Sequence, residues 1–249
     1  MDRRKFLGAV GAAAIAANTN LAKPADTAPD VFQPLRDLIK NKGPIIWVFT
    51  GDSITHGALH TFGWRSYVEH FAERVRFEMR RMTDVVINTG ISGDTMKGIL
   101  PGADQRIFQF KPQVVSLKIG MNDCRDAEKG ISFFRSSIEG LIEKAEKQKA
   151  ILLLNTPNLI EFVKAPERAA LPRYVEVIRE IASAHKLPLV DHYAHWTKET
   201  AGGARLQMWL NDGSIHPNNF GHIVLARKVF QDMGTFDPNS ITCGRLFVP

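Results

Sequence analysis

Apolar residues gather in five short runs, at 45–50, 85–89, 114–119, 151–155 and 187–190. The runs are rich in Val, Ile and Leu and mostly do not alternate with polar positions. That pattern suits strands buried on both faces, as in a parallel sheet. Between the runs the spacing turns helical. Residues 64–82 form a long amphipathic stretch. Residues 131–149 place Ile131, Phe134, Ile138, Leu141, Ile142 and Ala145 close to helical spacing, and 174–185 repeat this with Val175, Ile178, Ile181 and Ala182. A last helical pattern covers 220–233. Strands alternating with helices predict an α/β fold, a three-layer doubly wound sandwich around a five-stranded parallel sheet. Right-handed crossovers then put helices on both faces. One domain over residues 30–249 is expected, without internal repeats.

In such folds the functional loops lie beyond the carboxyl ends of the strands. Three runs lead directly into polar, glycine-containing segments. The first runs into Gly51-Asp52-Ser53, the second into Gly90-Ile91-Ser92-Gly93-Asp94, and the third into Gly120-Met121-Asn122-Asp123.

Composition narrows the picture. The chain has 249 residues, 44% of them hydrophobic and 23% charged, as in ordinary soluble globular proteins. The net charge is +6, and Arg3, Arg4, Lys5 and Lys23 against Asp2 put +3 of it in the first 25 residues. The mild remainder forms no dense basic stripe, so no nucleic-acid partner is expected. Arg74, Arg76, Arg80 and Arg81 are read as the solvated side of a helix. Arg3-Arg4-Lys5-Phe6-Leu7 followed by an apolar run to Ala17 has the pattern of a Tat export signal. Residues 1–25 are therefore expected to be a signal and linker, with the mature protein periplasmic or extracellular and not stably inserted in a membrane. Cys124 and Cys243 could pair in an oxidising compartment or remain two core thiols. No cofactor motif appears.

Ser53 stands on the turn that leaves a buried strand, where a hydroxyl can be held exposed and fixed. Asp-Ser is also an ordinary way to start a helix. Gly51-Asp52-Ser53-Ile54 resembles the first motif of the SGNH/GDSL hydrolase family. Asn88-Thr89-Gly90-Ile91-Ser92-Gly93-Asp94-Thr95 resembles the second, Gly120-Met121-Asn122-Asp123 the third, and Asp212-Gly213-Ser214-Ile215-His216-Pro217-Asn218 the last. The four stand in family order over about 45 to 230. The resemblance implies a flavodoxin-like fold and a serine esterase. It implies Ser53 as nucleophile, His216 as base and Asp212 as acid, with an oxyanion hole from the N–H of Ser53, the N–H of Gly93 and the amide of Asn122. Acyl transfer needs these groups: a base to take the hydroxyl proton and donors for the oxyanion.

The family pattern is Asp-x-x-His. Here Gly213 stands three residues before His216 and Asp212 four before. A bulge at Gly213-Ser214 would bring the carboxylate to the imidazole; the alternatives are Asp191 or a backbone carbonyl. His192 is a runner-up base. His56 and His60 have a helical i, i+4 spacing that could bind metal, but no third ligand is evident and no metal is expected. Asn155-Thr156-Pro157-Asn158 could line the pocket, and Phe62, Trp64, Trp196 and Trp209 could stack on a sugar ring. Export, one compact domain and the lack of an apolar lid favour acetyl esters on carbohydrate, as small molecule or polysaccharide. The rivals are a lysophospholipase or thioesterase with the same machinery, and a non-catalytic carbohydrate-binding protein on the same fold. The oligomeric state is not specified by the sequence.

Overall fold

The apolar runs become the strands of one all-parallel sheet: β1 (Ile46–Gly51), β2 (Val85–Asn88), β3 (Val114–Lys118), β4 (Ile151–Asn155) and β5 (Leu189–Val190), in the order β2-β1-β3-β4-β5. The structure is a computed structural model that describes residues 30–41 and 43–249. The Tat-type segment expected at 1–25 lies outside the described residues. The α/β architecture is the one the hydrophobic pattern predicts. β3 is buried throughout, whereas β2, at the edge, is half open to solvent.

Nine α-helices are described: α1 (Gln33–Lys40), α2 (Ser53–His56), α3 (Tyr67–Glu73), α4 (Met96–Ile99), α5 (Ala103–Arg106), α6 (Ile131–Lys147), α7 (Leu171–Ala184), α8 (His192–Ala201) and α9 (Asn219–Asp232). They pack in two groups, α3 and α8 against α9, and α4 and α7 against α6. Trp47 and Phe49 of β1 meet Phe71 of α3 at ring distances of 5.0 and 4.8 Å, and Phe71 in turn faces Phe230 of α9. Residues Val31–Pro249 form one unit. Among the described residues no helix is long and apolar enough to cross a membrane.

The helix expected over 64–82 is shorter. Ser66 and Glu69 form a reciprocal capping box that starts α3 three residues late, and a π-helical turn at Arg74–Glu78 widens its end. The basic cluster there is also not a solvated face. Arg74 is buried, pairs with Glu78 and donates to the Thr235 carbonyl; Arg81 binds Asp84 and the carbonyls of Ile39, Asn41 and Gly43. Only Arg76 and Arg80 are exposed. Cys124 and Cys243 are both buried free thiols.

The strand order reverses between β1 and β3, and this reversal opens a crevice at their carboxyl ends. Gly51 pairs there with Lys118. A Cβ at position 51 would lie 2.1 Å from the Lys118 carbonyl oxygen, so only glycine lets the two strands approach this closely.

Candidate active site

Ser53 opens α2 directly after β1, with Asp52 as its N-cap accepting from the Ile54 N–H at 2.9 Å. The short helix fixes the hydroxyl at the crevice. Ser53 Oγ lies 3.0 Å from His216 Nε2, and His216 Nδ1 lies 2.7 Å from Asp212 Oδ2. The three side chains that the motifs single out therefore form one continuous hydrogen-bonded line.

The four-residue offset is accommodated by the turn itself. Gly213 adopts φ +64°, a left-handed conformation glycine takes readily. Asp212 Oδ1 accepts the N–H groups of Ser214 at 2.8 Å and Ile215 at 3.0 Å, which leaves Oδ2 for the imidazole. Burial pushes the Asp212 carboxyl up, but the hydrogen bonds from His216, Ser214 and Ile215 outweigh it and hold the pKa at about 2. Asp191, the alternative acid, is engaged elsewhere: it caps α8, pairs with Arg179 at 2.7 Å and accepts from Thr156 Oγ1. His192, the alternative base, is wholly buried, 3.3 Å from Asn155 Oδ1, and burial keeps its pKa well below the ordinary value.

Gly93 and Asn122 line one cavity of about 430 Å³ together with Thr95, Lys97, Arg125, Asp126 and Glu167. Neither the Ser53 N–H nor the Gly93 N–H has an acceptor among the described residues. Asn122 Nδ2 donates one hydrogen to the Asp94 carbonyl at 3.1 Å, leaving its second for the cavity, while Arg168 Nη2 donates to Asn122 Oδ1 at 3.4 Å and sets which way the amide points. Asp123 ties this loop to the preceding one by accepting the Met96 N–H at 2.8 Å.

Beneath the nucleophile turn lies a buried charged group that the motifs do not include. Lys118 ends β3, and its Nζ reaches Asn158 Oδ1 at 3.5 Å; Asn158 Nδ2 donates to the Ile215 carbonyl at 3.1 Å. Burial pushes the Lys118 ammonium down to about 8 and the Asp52 carboxyl up, each charge opposing the other's shift. A lone charge in an otherwise uncharged strand marks Lys118 in the sequence, though not the residues it meets. Asn155, Thr156 and Asn158 do not line the pocket as expected; they are buried and tie strands and turns together. Trp196 and Trp209 are likewise core residues, packed edge to face at 5.0 Å, whereas Phe62 and Trp64 are 75% and 65% exposed. His56 Nδ1 meets Ser92 Oγ at 3.0 Å, while His60 lies against the His216 ring. Among the described residues no group of three His, Cys, Asp or Glu side chains is arranged to hold a metal ion.

The chain is 27% identical over 211 residues to an acetylxylan esterase of Geobacillus stearothermophilus, covering 75% of this chain and 93% of that protein. It is 33% identical over 110 residues to an uncharacterized protein of Mycoplasma pneumoniae, covering 44% of this chain and 12% of the other. Among solved structures, the acetylxylan esterase Axe2 of G. stearothermophilus superposes with a TM-score of 0.66 at 24% identity, covering 76% of this chain and 94% of that one. An α/β hydrolase enzyme, LAE5, from the Lake Arreo metagenome gives 0.65 at 24% identity, covering 78% and 98%. These two superpositions establish the fold. The family model of the GDSL-like Lipase/Acylhydrolase family matches residues 49–224, and the chain, a carboxylic-ester hydrolase, belongs to that family.

Proposed function

We propose that the protein removes acetyl groups from carbohydrate, with Ser53 as nucleophile, His216 as base and Asp212 as the acid that orients it. The observation that carries the proposal is the line Ser53–His216–Asp212, with its 3.0 and 2.7 Å contacts. Ser53 Oγ attacks the acyl carbon while His216 Nε2 takes its proton. The carbonyl oxygen becomes an oxyanion held by the N–H groups of Ser53 and Gly93 and the amide of Asn122. Collapse breaks the ester bond, and His216 protonates the departing sugar hydroxyl. Water, deprotonated by His216, then attacks the acetyl-Ser53 carbonyl; acetate leaves and Ser53 regains its proton. Each oxyanion donor of this kind contributes about 3 kcal/mol to the transition state.

The polar rim of the cavity beside Gly93 and Asn122, with Lys97, Arg125, Asp126 and Glu167, suits a hydroxyl-rich alcohol portion. The similarity to an acetylxylan esterase supports the same substrate class. We further propose that Arg3-Arg4-Lys5-Phe6-Leu7 directs export by the Tat route, so that the enzyme meets its substrate outside the cytoplasm. One observation favours longer acyl chains instead. An apolar cavity of about 700 Å³ lies between Trp64, Phe220, Ile223, Ile241, Leu246 and Phe247; like the polar cavity, it is lined by none of Ser53, Asp212 and His216, and unlike that cavity it takes in neither Gly93 nor Asn122.

The test is turnover of acetylated xylan, acetylated sugars and p-nitrophenyl esters of rising chain length by the wild type and Ser53→Ala. Acetyl esters are expected to be preferred and Ser53→Ala to be inactive. A steep preference for long chains would assign the apolar cavity to the acyl group, and full activity of Ser53→Ala would remove Ser53 from the mechanism. Replacing Arg3 and Arg4 by lysine should retain the protein inside the cell.

A further inference from the structure

The His60 ring lies flat on the His216 ring, with centroids 3.5 Å apart and planes 3° from parallel. His60 belongs to the connection between α2 and α3, which folds back over the acid–base turn. Two further bonds tie these segments. Asn211 Nδ2 donates to the His60 carbonyl, and the Asn211 N–H donates to the His216 carbonyl at 2.9 Å.

The backbone around His60 is strained for the sake of this position. Leu59 and Phe62 adopt φ values of 64° and 52°, a left-handed region that bulky residues avoid. Such conformations persist only where surrounding contacts over-determine them. Both side chains project into solvent, Leu59 at 84% exposure, so their own burial does not hold the turn. The turn is held by its own backbone bonds, His60 N–H to the Ala58 carbonyl and Trp64 N–H to the Thr61 carbonyl, and by the buried Thr61; the ring stack and the Asn211 bond are what join it to the acid–base turn.

The acid–base turn has reason to be braced. It is one residue longer than the family pattern, Gly213 gives it added backbone freedom, and the Asp212 side chain is 36% exposed. We propose that His60 is a positioning residue for the base: its stacked ring fixes the plane of the His216 imidazole, keeping Nε2 on Ser53 and Nδ1 on Asp212. The proposal rests on His216 acting as the base. His60 suits this work because burial, followed by the charge on His216, pushes its pKa below the ordinary value. Both effects favour the neutral ring over the charged one when His216 takes the serine proton. A neutral aromatic face attracts the imidazolium where a second cation would repel it.

The experiment compares His60→Ala, His60→Leu and His60→Phe with the wild type and with Ser53→Ala. The readouts are kcat and KM on p-nitrophenyl acetate, the rate of Ser53 sulfonylation by phenylmethylsulfonyl fluoride, and Tm. His60→Ala and His60→Leu should lower kcat and the sulfonylation rate by about 10- to 100-fold, the scale of a misplaced reacting group, with KM little changed. His60→Phe, which restores a flat ring but cannot titrate, should recover most of both. The sulfonylation rate reports the Ser53–His216 alignment without any sugar or acyl pocket. Wild-type kcat in His60→Ala beside an inactive Ser53→Ala overturns the role of His60 and leaves the esterase mechanism standing. His60→Phe no better than His60→Leu in folded protein also overturns it, and this pair decides the matter if His60→Ala fails to fold. Activity in Ser53→Ala would instead overturn the catalytic assignment itself, and the proposal with it.

Discussion

At Asp212 both carboxylate oxygens are committed. Oδ1 closes the turn through the Ser214 and Ile215 N–H groups, and Oδ2 accepts the hydrogen bond from His216 Nδ1–H. Asp212→Asn separates the two tasks. The amide oxygen still accepts the backbone N–H groups, but the amide nitrogen then faces Nδ1 and forces the tautomer that protonates Nε2. His216 loses its ability to accept the serine proton. The expected result is a fall in kcat of about 10³- to 10⁴-fold with the fold intact, the size seen when a triad acid becomes an amide. Asp191→Asn should leave kcat unchanged and lower only Tm, because Asp191 works on α8, Thr156 and Arg179. Steady-state kinetics of both variants check this; equal losses would return Asp191 to candidacy. With a pKa of about 2, Asp212 stays ionised above roughly pH 3, so it does not set the acid limit of activity in the range where the enzyme is assayed.

At the scale of elements, the site depends on how closely β1 and β3 approach at Gly51. A methyl group there would lie 2.1 Å from a backbone oxygen of β3 and 2.6 Å from Thr55 Oγ1. Neither the strand nor the buried start of α2 has room to give. Gly51→Ala should therefore cost about 1–3 kcal/mol in urea denaturation, the usual cost of overpacking, and lower kcat by moving Ser53 relative to His216. An unchanged denaturation midpoint would show that the strands can part without loss. The same close packing explains what could be read in advance. β1, β3 and β4, buried on both faces, announce themselves as unbroken apolar runs; β2 and β5 at the edges are more open but keep the same apolar composition, and the glycine-containing loops after the first three strands followed. α8 was not legible, because only His192 and Trp196 of its ten residues are buried and the pattern carries almost no period. The 64–82 pattern overran α3 because apolar spacing continues through the π-helical turn. In the site, the motif resemblance singled out Ser53, Gly93, Asn122, Asp212 and His216 as candidates, and the hydrogen-bonded line joins three of them. The contacts of His60, Arg168 and Lys118 join segments distant in sequence, and nothing in local spacing announces such a meeting.

Across the whole molecule, folding buries titratable groups that favour opposite pH. His222 of α9 is fully buried, accepts the Tyr67 N–H through Nδ1 at 3.1 Å, and has a pKa pushed down to about 3, first by burial and then by nearby cations. Asp123 accepts the Met96 N–H, and burial pushes its pKa up to about 7. In the unfolded chain these groups titrate near 6.5 and 3.9. Between pH 6.5 and about 3 the unfolded state protonates His222 and the native state does not. The stability from keeping it neutral is thus complete above 6.5 and is lost as the pH falls. For Asp123 the native state holds a proton that the unfolded state releases, so its contribution is complete below about 4 and is lost as the pH rises through 7. His222→Asn and Asp123→Asn each keep an acceptor for the backbone N–H and remove the titration. The Tm advantage of the wild type over His222→Asn should therefore shrink on acidification from pH 6.5. Its advantage over Asp123→Asn should shrink on raising the pH from 4 to 7. Thermal denaturation from pH 4 to 8 checks both, and difference curves that run flat would mean that neither group is desolvated in the native state. Opposite slopes would show that the burial which holds the motif loops at the carboxyl edge of the sheet also confines the fold's stability to a window between the two titrations.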